Sequence, residues 1–473
     1  MEWNLWINGQ WVETGKRFDV ENPATREIIA RVAYGAAKEA RMAVDAAEEA
    51  LPAWRSKSAY ERAAVLMKWY QLIEANKDEL ARLLTLEQGK PLADAYGEIQ
   101  LGNSYVLWYA EETKRAYGQT VPASVANKRL LVLKQAVGIV AAITPWNFPI
   151  AMVTRKVAPA IAAGCTVVIK PSEYTPLTAY KLAELAHEAG LPPGVLNVVT
   201  GNEQEIGETW LSDERVRKVS FTGSTRVGKL LMRQAAETVK NVSLELGGHA
   251  PFIVTPSADL DLAVSQLVAP KFRNAGQTCI CPNRVFVHES VKDAFTEKLA
   301  AAVKMLRVGN GLEEGVHIGP LINQAAVDKV RTHLQDALSR GAKLVHQHEQ
   351  VPDTGYFVAP AVLADVDENM LCMREETFGP LVPVTTYRTT EEVIRRANDT
   401  RYGLAAYVFS RDLKESFEIS EGLEYGIIGL NDGLPTSVQA PFGGMKESGI
   451  GREGGHWGLD EFLEVKYISM NLG

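Results

Sequence analysis

Residues 272 to 284 read F-R-N-A-G-Q-T-C-I-C-P-N-R, two cysteines one residue apart behind a small, polar Gly-Gln-Thr run. A thiolate is a strong nucleophile, and it reacts where the cysteine is partly exposed in an electropositive setting. Cys279 sits in such a run with Arg273 and Arg284 flanking it in sequence, so it is the candidate nucleophile. Taken alone, a cysteine is as readily a small buried hydrophobe, and the surrounding segments must supply the rest of the chemistry. One of them is L-E-L-G-G at 244, which puts Glu245 inside an apolar stretch just before paired glycines. A carboxyl there is partly desolvated, which raises its pKa toward the range of a general base.

Three more segments fall where a strand should end, the place at which an α/β sheet holds its ligands. They are T-P-W-N-F-P at 144, K-P-S-E at 170 and S-F-T-G-S-T-R-V-G-K at 220. The last has the glycine and lysine spacing of a P-loop, but Leu230 stands where Mg²⁺ binding needs Ser or Thr, which argues against an NTPase. Gly223 and Gly228 can still bring a helix N-terminus close to a pyrophosphate, or they form a tight strand-to-helix turn.

The elements that must position these residues follow from periodicity. Residues 36 to 54 and 59 to 95 carry helix formers at helical spacing, after a short strand-like start. Short Val/Ile-rich runs then appear at Val137 to Ile143, Thr166 to Ile169, Val195 to Val199, Val216 to Phe221 and Pro251 to Val254, with helical segments between several of them. One helix is expected from about Pro176 to Glu188, stopped by Gly190 and the P-P-G that follows. Strands this apolar are covered on both faces, so the pattern predicts a parallel sheet with crossover helices. From about 247 to 440 a second alternation follows, with V-F-V at 285, V-P-V-T-T-Y at 382 and A-A-Y-V-F at 405. Two amphipathic strands, near 128 and 462, are far apart in sequence; paired, they make a sheet with exposed edges, which predicts a homo-oligomer.

At 473 residues the chain is too long for one small core, and 46% apolar with 23% charged residues is ordinary for a globular protein. A net charge of -8 with no Lys/Arg block argues against nucleic acid as a partner. Four cysteines cannot build a disulfide framework and none stand at zinc spacing, so no metal is expected and a reducing, cytoplasmic compartment is. The N-terminal M-E-W-N-L-W carries no basic n-region of a secretory signal. Residues 136 to 153 run eighteen positions without a charge, but Pro145, Asn147 and Pro149 break the centre, which predicts a buried strand and a turn rather than a membrane span.

The ordered set T-P-W-N-F-P, K-P-S-E, F-T-G-S, L-E-L-G-G, G-Q-T-C, E-E-T-F-G-P and P-F-G-G resembles the aldehyde dehydrogenase superfamily over essentially the whole chain. R-N-A-G-Q-T-C-I-C-P-N-R and M-V-T-R-K-V-A-P-A-I-A-A-G-C resemble its succinate-semialdehyde dehydrogenase branch. The resemblance implies an α/β fold with a Rossmann-like dinucleotide-binding domain (1–118 and 138–246), a second α/β catalytic domain (247–440) and a small β oligomerisation element (119–137 and 441–473), in a homodimer or homotetramer.

It also implies roles. Cys279 attacks the aldehyde, the Asn147 amide and the Cys279 N–H hold the oxyanion, and Glu245 activates the water that hydrolyses the thioester. Ile143, Thr144, Pro145, Trp146, Lys170, Ser172, Glu173, Gly201, Phe221, Gly223, Ser224, Glu376 and Phe378 would meet the cofactor, and the Glu173 carboxylate favours NAD over NADP because it repels a 2′-phosphate. Arg155, Arg273, Thr436 and Ser437 would meet the substrate, with Arg forks suited to a carboxylate. The implied reaction takes succinate semialdehyde to succinate. Pro435 and Thr436 depart from the branch, so glutarate semialdehyde, another ω-oxo acid or a general aliphatic aldehyde stays open, as does, more remotely, a non-catalytic binding protein. A Cys-His hydrolase is the rival enzyme class, but no histidine stands in a partner motif. Cys281 is a candidate for redox control through a C-x-C disulfide, or a small unreactive neighbour.

Overall fold

The computed structural model describes residues 1–473. Five parallel strands, Ile139–Ile143, Thr166–Lys170, Leu196–Val198, Val216–Thr222 and Asn241–Glu245, form the body of an eight-stranded sheet. They are almost wholly buried because their side chains are apolar on both faces, and helices cover both. Their order across the sheet is 241–245, 216–222, 139–143, 166–170, 196–198. The chain therefore leaves 139–143 to one side and later returns to its other side with 216–222. A crevice opens beyond the carboxyl ends of those two strands, at the reversal point of a Rossmann-like sheet.

The second sheet has seven strands, with Pro282–His288 and Ala405–Phe409 flanking Ala250–Val254. All its pairings are parallel except that of the edge strand Lys343–Gln347. Two separate apolar cores of similar size lie on the two sheets. Lys128–Ala136 and Leu463–Asn471 pair antiparallel over their full lengths, in a three-stranded sheet whose outer strand leaves Val465 and Tyr467 exposed.

The N-terminal helical region resolves into helices Ala37–Ser56, Ala59–Ala75, Lys77–Gln88 and Leu92–Glu112, and the helix expected near 176 spans Leu177–Glu188. The charge-free stretch 136 to 153 is a strand and a turn, as its prolines demand, but a buried helix, Pro149–Ala163, starts inside it. Pro149 sits in that helix's first turn, where its missing N–H costs nothing. The strand-like start holds Leu5–Ile7 and Gln10–Val12, which join the nucleotide sheet, and a third short piece on that sheet, too brief to read by periodicity, is Gly449–Ile450. The last lies within 441–473, all of which the sequence reading gave to the small sheet, yet it pairs with Leu244 and Glu245. No helix is long and apolar enough to cross a membrane.

Candidate active site

The nucleophile segment follows helix Leu260–Phe272, whose end turns sharply: Asn274, Ala275 and Gly276 all have positive φ, at 51°, 56° and 78°. Two non-glycine residues in the left-handed region are strained and persist only where neighbours hold them. Gln277 does so, donating from Nε2 to the Asn274 carbonyl at 3.0 Å and accepting from the Ile322 N–H at 2.9 Å. The Asp94 carboxylate accepts from the Asn274 N–H at 2.9 Å. Position 276 must be glycine, since a Cβ there would lie 2.4 Å from the Gly379 carbonyl oxygen. The turn leaves Cys279 half-buried, with a backbone N–H that donates to no protein acceptor. Burial pushes the Cys279 thiol up to about 12, with Arg155 pulling the other way.

Asn147 lies in the turn after strand Ile139–Ile143 and is buried. Its Nδ2 donates to the Gln277 carbonyl at 3.0 Å, which orients the amide and leaves its second proton uncommitted. The Asn147 carbonyl accepts from Lys90 Nζ at 2.8 Å and from Asn274 Nδ2 at 2.9 Å. Glu245 ends strand Asn241–Glu245, and neither of its buried carboxyl oxygens has a hydrogen-bond partner. Burial first, then the nearby Glu453 carboxylate, pushes Glu245 well above the usual carboxylate range. Glu453 itself is pushed up by burial but pulled further down by Arg155 and Lys156, with which it forms a buried ion cluster.

Two cavities meet at Cys279. One, of about 370 Å³, fills the crevice at the sheet's reversal point. Of the expected cofactor residues it is lined by Pro145, Trp146, Gly223, Ser224, Glu376 and Phe378. Trp146 and Phe378 meet edge to face at 5.6 Å, and Ser224 Oγ caps helix Thr225–Ala235 by accepting from Val227 N–H, which turns that helix's N-terminus toward the crevice. Gly223 lies against the Phe221 ring, where a Cβ would come within 2.4 Å, so the backbone is bare where a pyrophosphate would approach. These features fit a dinucleotide. Glu376 Oε1 accepts from the Gly248 N–H at 3.0 Å, and burial raises this acid to about 7.

Ile143, Thr144, Lys170, Ser172, Glu173, Gly201 and Phe221 do not line that cavity. Ile143 and Phe221 belong to the strands beneath it, Lys170 Nζ stands 3.5 Å from Glu173 Oε2 at the end of Thr166–Lys170, the Ser172 hydroxyl accepts from Tyr174 N–H, and Gly201 bridges to Gly35. Lys329, which has no carboxylate partner, joins the lining from helix Gln324–Ser339, unforeseen because nothing in its local sequence marks it.

The second cavity, about 50 Å³, is walled by Leu101, Phe148, Ile280 and Phe442 and also touches Arg155, Arg273 and Thr436, but not Ser437. The two arginines differ. Arg155 is buried, ion-paired to Glu453 and stacked over Phe442 at 4.2 Å. Arg273 has no carboxylate within 4 Å and lies over the Phe148 ring at 5.0 Å. The Thr436 hydroxyl is buried without a partner. Cys281 is fully buried, its sulfur 3.5 Å from Lys271 Nζ. Glu453 and Lys156 were not foreseen, although two cations inside an otherwise uncharged helix, Arg155 and Lys156 in Pro149–Ala163, require a buried counter-charge.

A half-buried thiol between a dinucleotide crevice and a second small pocket defines an oxidoreductase with a cysteine nucleophile. The sequence model of the aldehyde dehydrogenase family matches residues 11–468. A glutarate-semialdehyde dehydrogenase of Pseudomonas putida is 51% identical over 469 residues, covering 99% of this chain and 97% of that one. The NADP(+) succinate-semialdehyde dehydrogenase of Escherichia coli is 53% identical, covering 98% and 97%. The crystal structure of succinate-semialdehyde dehydrogenase from Burkholderia pseudomallei superposes with a TM-score of 0.98 at 51% identity, covering 99% and 98%. The chain belongs to the aldehyde dehydrogenase family. It is a pyridine-nucleotide-dependent enzyme that oxidises an aldehyde.

Proposed function

We propose that this enzyme oxidises a short ω-oxo acid, succinate semialdehyde first and glutarate semialdehyde second, to the dicarboxylic acid, with NAD preferred over NADP. The observation that carries the reading is the unpaired Arg273 guanidinium in the pocket that opens onto Cys279. An Arg with no protein carboxylate is free to take the substrate's own as a charge-assisted fork. Thr436 supplies a hydroxyl with no other partner, and Arg155 adds field while remaining tied to Glu453. Two relatives are named for these semialdehydes.

Cys279 attacks the aldehyde carbon once its proton is taken, and Glu245, free of hydrogen bonds and raised in pKa, is the carboxylate suited to accept it. The Asn147 amide and the Cys279 N–H hold the developing oxyanion; one such donor contributes on the order of 3 kcal/mol. Bound nicotinamide would supply the hydride acceptor. Once Glu245 has passed the thiol proton to solvent it can activate water, which attacks the thioester carbon and releases the acid as the Cys279 sulfur leaves. Pro145, Trp146, Gly223, Ser224, Glu376, Phe378 and Lys329 would hold the dinucleotide, and Glu173 beside Lys170 would accept from ribose hydroxyls and repel a 2′-phosphate. The domains are proposed as dinucleotide-binding 1–118 and 138–246 and catalytic 247–440. The small sheet built from 119–137 and the C-terminal strand, with Leu133, Val465 and Tyr467 exposed, would join subunits into a dimer or tetramer.

The test is the initial rate across C3 to C6 aldehydes with and without a terminal carboxylate, each with NAD and NADP. The C4 and C5 oxo acids with NAD should exceed their uncharged counterparts by about tenfold or more in kcat/KM, about one charge-assisted contact. Equal rates for charged and uncharged aldehydes would remove the substrate assignment, and faster turnover with NADP the cofactor preference.

A further inference from the structure

We propose that Lys90, Asp94 and Glu98 form a positioning bracket that fixes the oxyanion donor Asn147 relative to Cys279; the inference rests on the reading of Asn147 just given. The three residues are spaced by four, and the last two lie on one face of helix Leu92–Glu112. Each grips one of the two segments that form the oxyanion site. Lys90 Nζ donates to the Asn147 carbonyl at 2.8 Å and sits 4.0 Å over the Phe148 ring. Glu98, ion-paired with Lys90, accepts from the Ile150 N–H at 2.8 Å and the Ala151 N–H at 3.3 Å, capping helix Pro149–Ala163 immediately after the turn. Asp94 accepts from the strained Asn274 N–H at 2.9 Å, and Asn274 in turn donates to the same Asn147 carbonyl.

The Lys90–Glu98 pair is fully buried, so both charges had to leave water, and no substrate or cofactor cavity touches either side chain. Its neighbours are the turn bearing Asn147 and the start of the helix after it. The bracket therefore ties the turn at the carboxyl end of the central strand 139–143 to the segment leading to the second sheet, and the gap between Asn147 Nδ2 and the Cys279 N–H is where the oxyanion must fit. Misplacement by about 1 Å can cost on the order of 100-fold in rate.

Rapid-mixing measurement of the NADH burst with saturating cofactor tests this. Asp94→Ala, at a half-buried site that tolerates truncation, should slow the burst by about 10- to 100-fold with burst amplitude and cofactor affinity unchanged, and Asp94→Asn, which keeps an acceptor oxygen, should recover most of it. The double variant Lys90→Met/Glu98→Gln, which leaves no buried charge unpaired, should slow it as much. In an Asn147→Ala background, Asp94→Ala should change the burst by less than about twofold, since the group it positions is gone. A loss of the same factor in both backgrounds would mean a general structural defect and would overturn the bracket. If Asn147→Ala slows the burst and Asp94→Ala does not, the bracket alone falls. If Asn147→Ala itself leaves the burst unchanged, the oxyanion reading falls and takes the bracket with it.

Discussion

Replacing Arg273 with Ala removes, from the small cavity beside Cys279, the guanidinium that has no carboxylate partner. A charge-assisted contact to a carboxylate contributes about 1.5–3 kcal/mol, which at about 1.4 kcal/mol per decade is roughly 10- to 150-fold in kcat/KM for an ω-oxo acid. Arg273 is half-buried, so solvent screening favours the lower part of that range. An uncharged aldehyde of equal length loses only the packing of the stem over Phe148 and should change by less than about threefold. The assay is initial-rate NADH formation with both substrates on the same preparation, with thermal unfolding to verify folding. Equal losses for the two substrates would refute the carboxylate assignment. Arg155→Ala is the contrasting variant. It strips Glu453 of one of two buried cations and should cost stability, about 3–5 kcal/mol, with both substrates affected alike.

Glu245→Gln should keep a stoichiometric NADH burst, if slowed, and lose steady-state turnover by about 10²- to 10⁴-fold; absence of a burst with cofactor binding intact would remove the deacylation role. Burial holds Glu245 well above the usual carboxylate range in the folded state, so the native state keeps a proton that the unfolded chain loses, and stability falls as pH rises through the folded value. The melting temperature of Glu245→Gln should therefore gain on the parent as pH rises above the ordinary carboxylate range, and parallel curves would contradict the burial assigned to this acid. Thr436→Val removes a buried hydroxyl without a partner, a defect worth about 1–3 kcal/mol, so the variant should melt no lower than the parent while KM for the oxo acid rises; an unchanged KM would exclude Thr436 from substrate contact. A Cys279–Cys281 disulfide would have to draw Cys281 away from Lys271, and dithiothreitol-reversible inactivation by peroxide should then be lost in Cys281→Ala; equal reversibility in both proteins would end the redox hypothesis.

The parallel strands were legible because each is a short Val/Ile run with helix between, and the residues at their ends, Asn147, Gly223 and Glu245, could be placed by the rule that ligands gather at carboxyl ends. The nucleophile segment departs from that rule, since Cys279 precedes strand Pro282–His288 instead of following a strand. The strand piece at 449–450 is two residues long, below any periodicity, and the strand-like start could be read only as a region, its strands at 5–7 and 10–12 being three residues each. Both arginines of the pocket were named from their positions, but only the fold distinguishes them, because Glu453 lies nearly 300 positions along the chain from Arg155. Lys90, Asp94 and Glu98 were not singled out in the sequence, because charged residues spaced by four ordinarily face water on a helix; here they face inward, where the turn at Asn147 and the strained Asn274 offer them unsatisfied groups.

The buried cluster of Lys156 and Glu453 joins residues 297 positions apart. For a chain leaving the ribosome, that distance sets an order of events. Helix Pro149–Ala163 leaves the ribosome long before its counter-charge, so two cations await a partner that is made nearly 300 residues later. Later still comes the strand that closes onto 128–136. Closing a contact over such a separation costs chain entropy that a local helix does not, so the ion cluster follows the helix that carries its cations. A chain ended before Glu453 carries the cysteine and the parallel sheet but leaves Arg155 and Lys156 without their buried counter-charge.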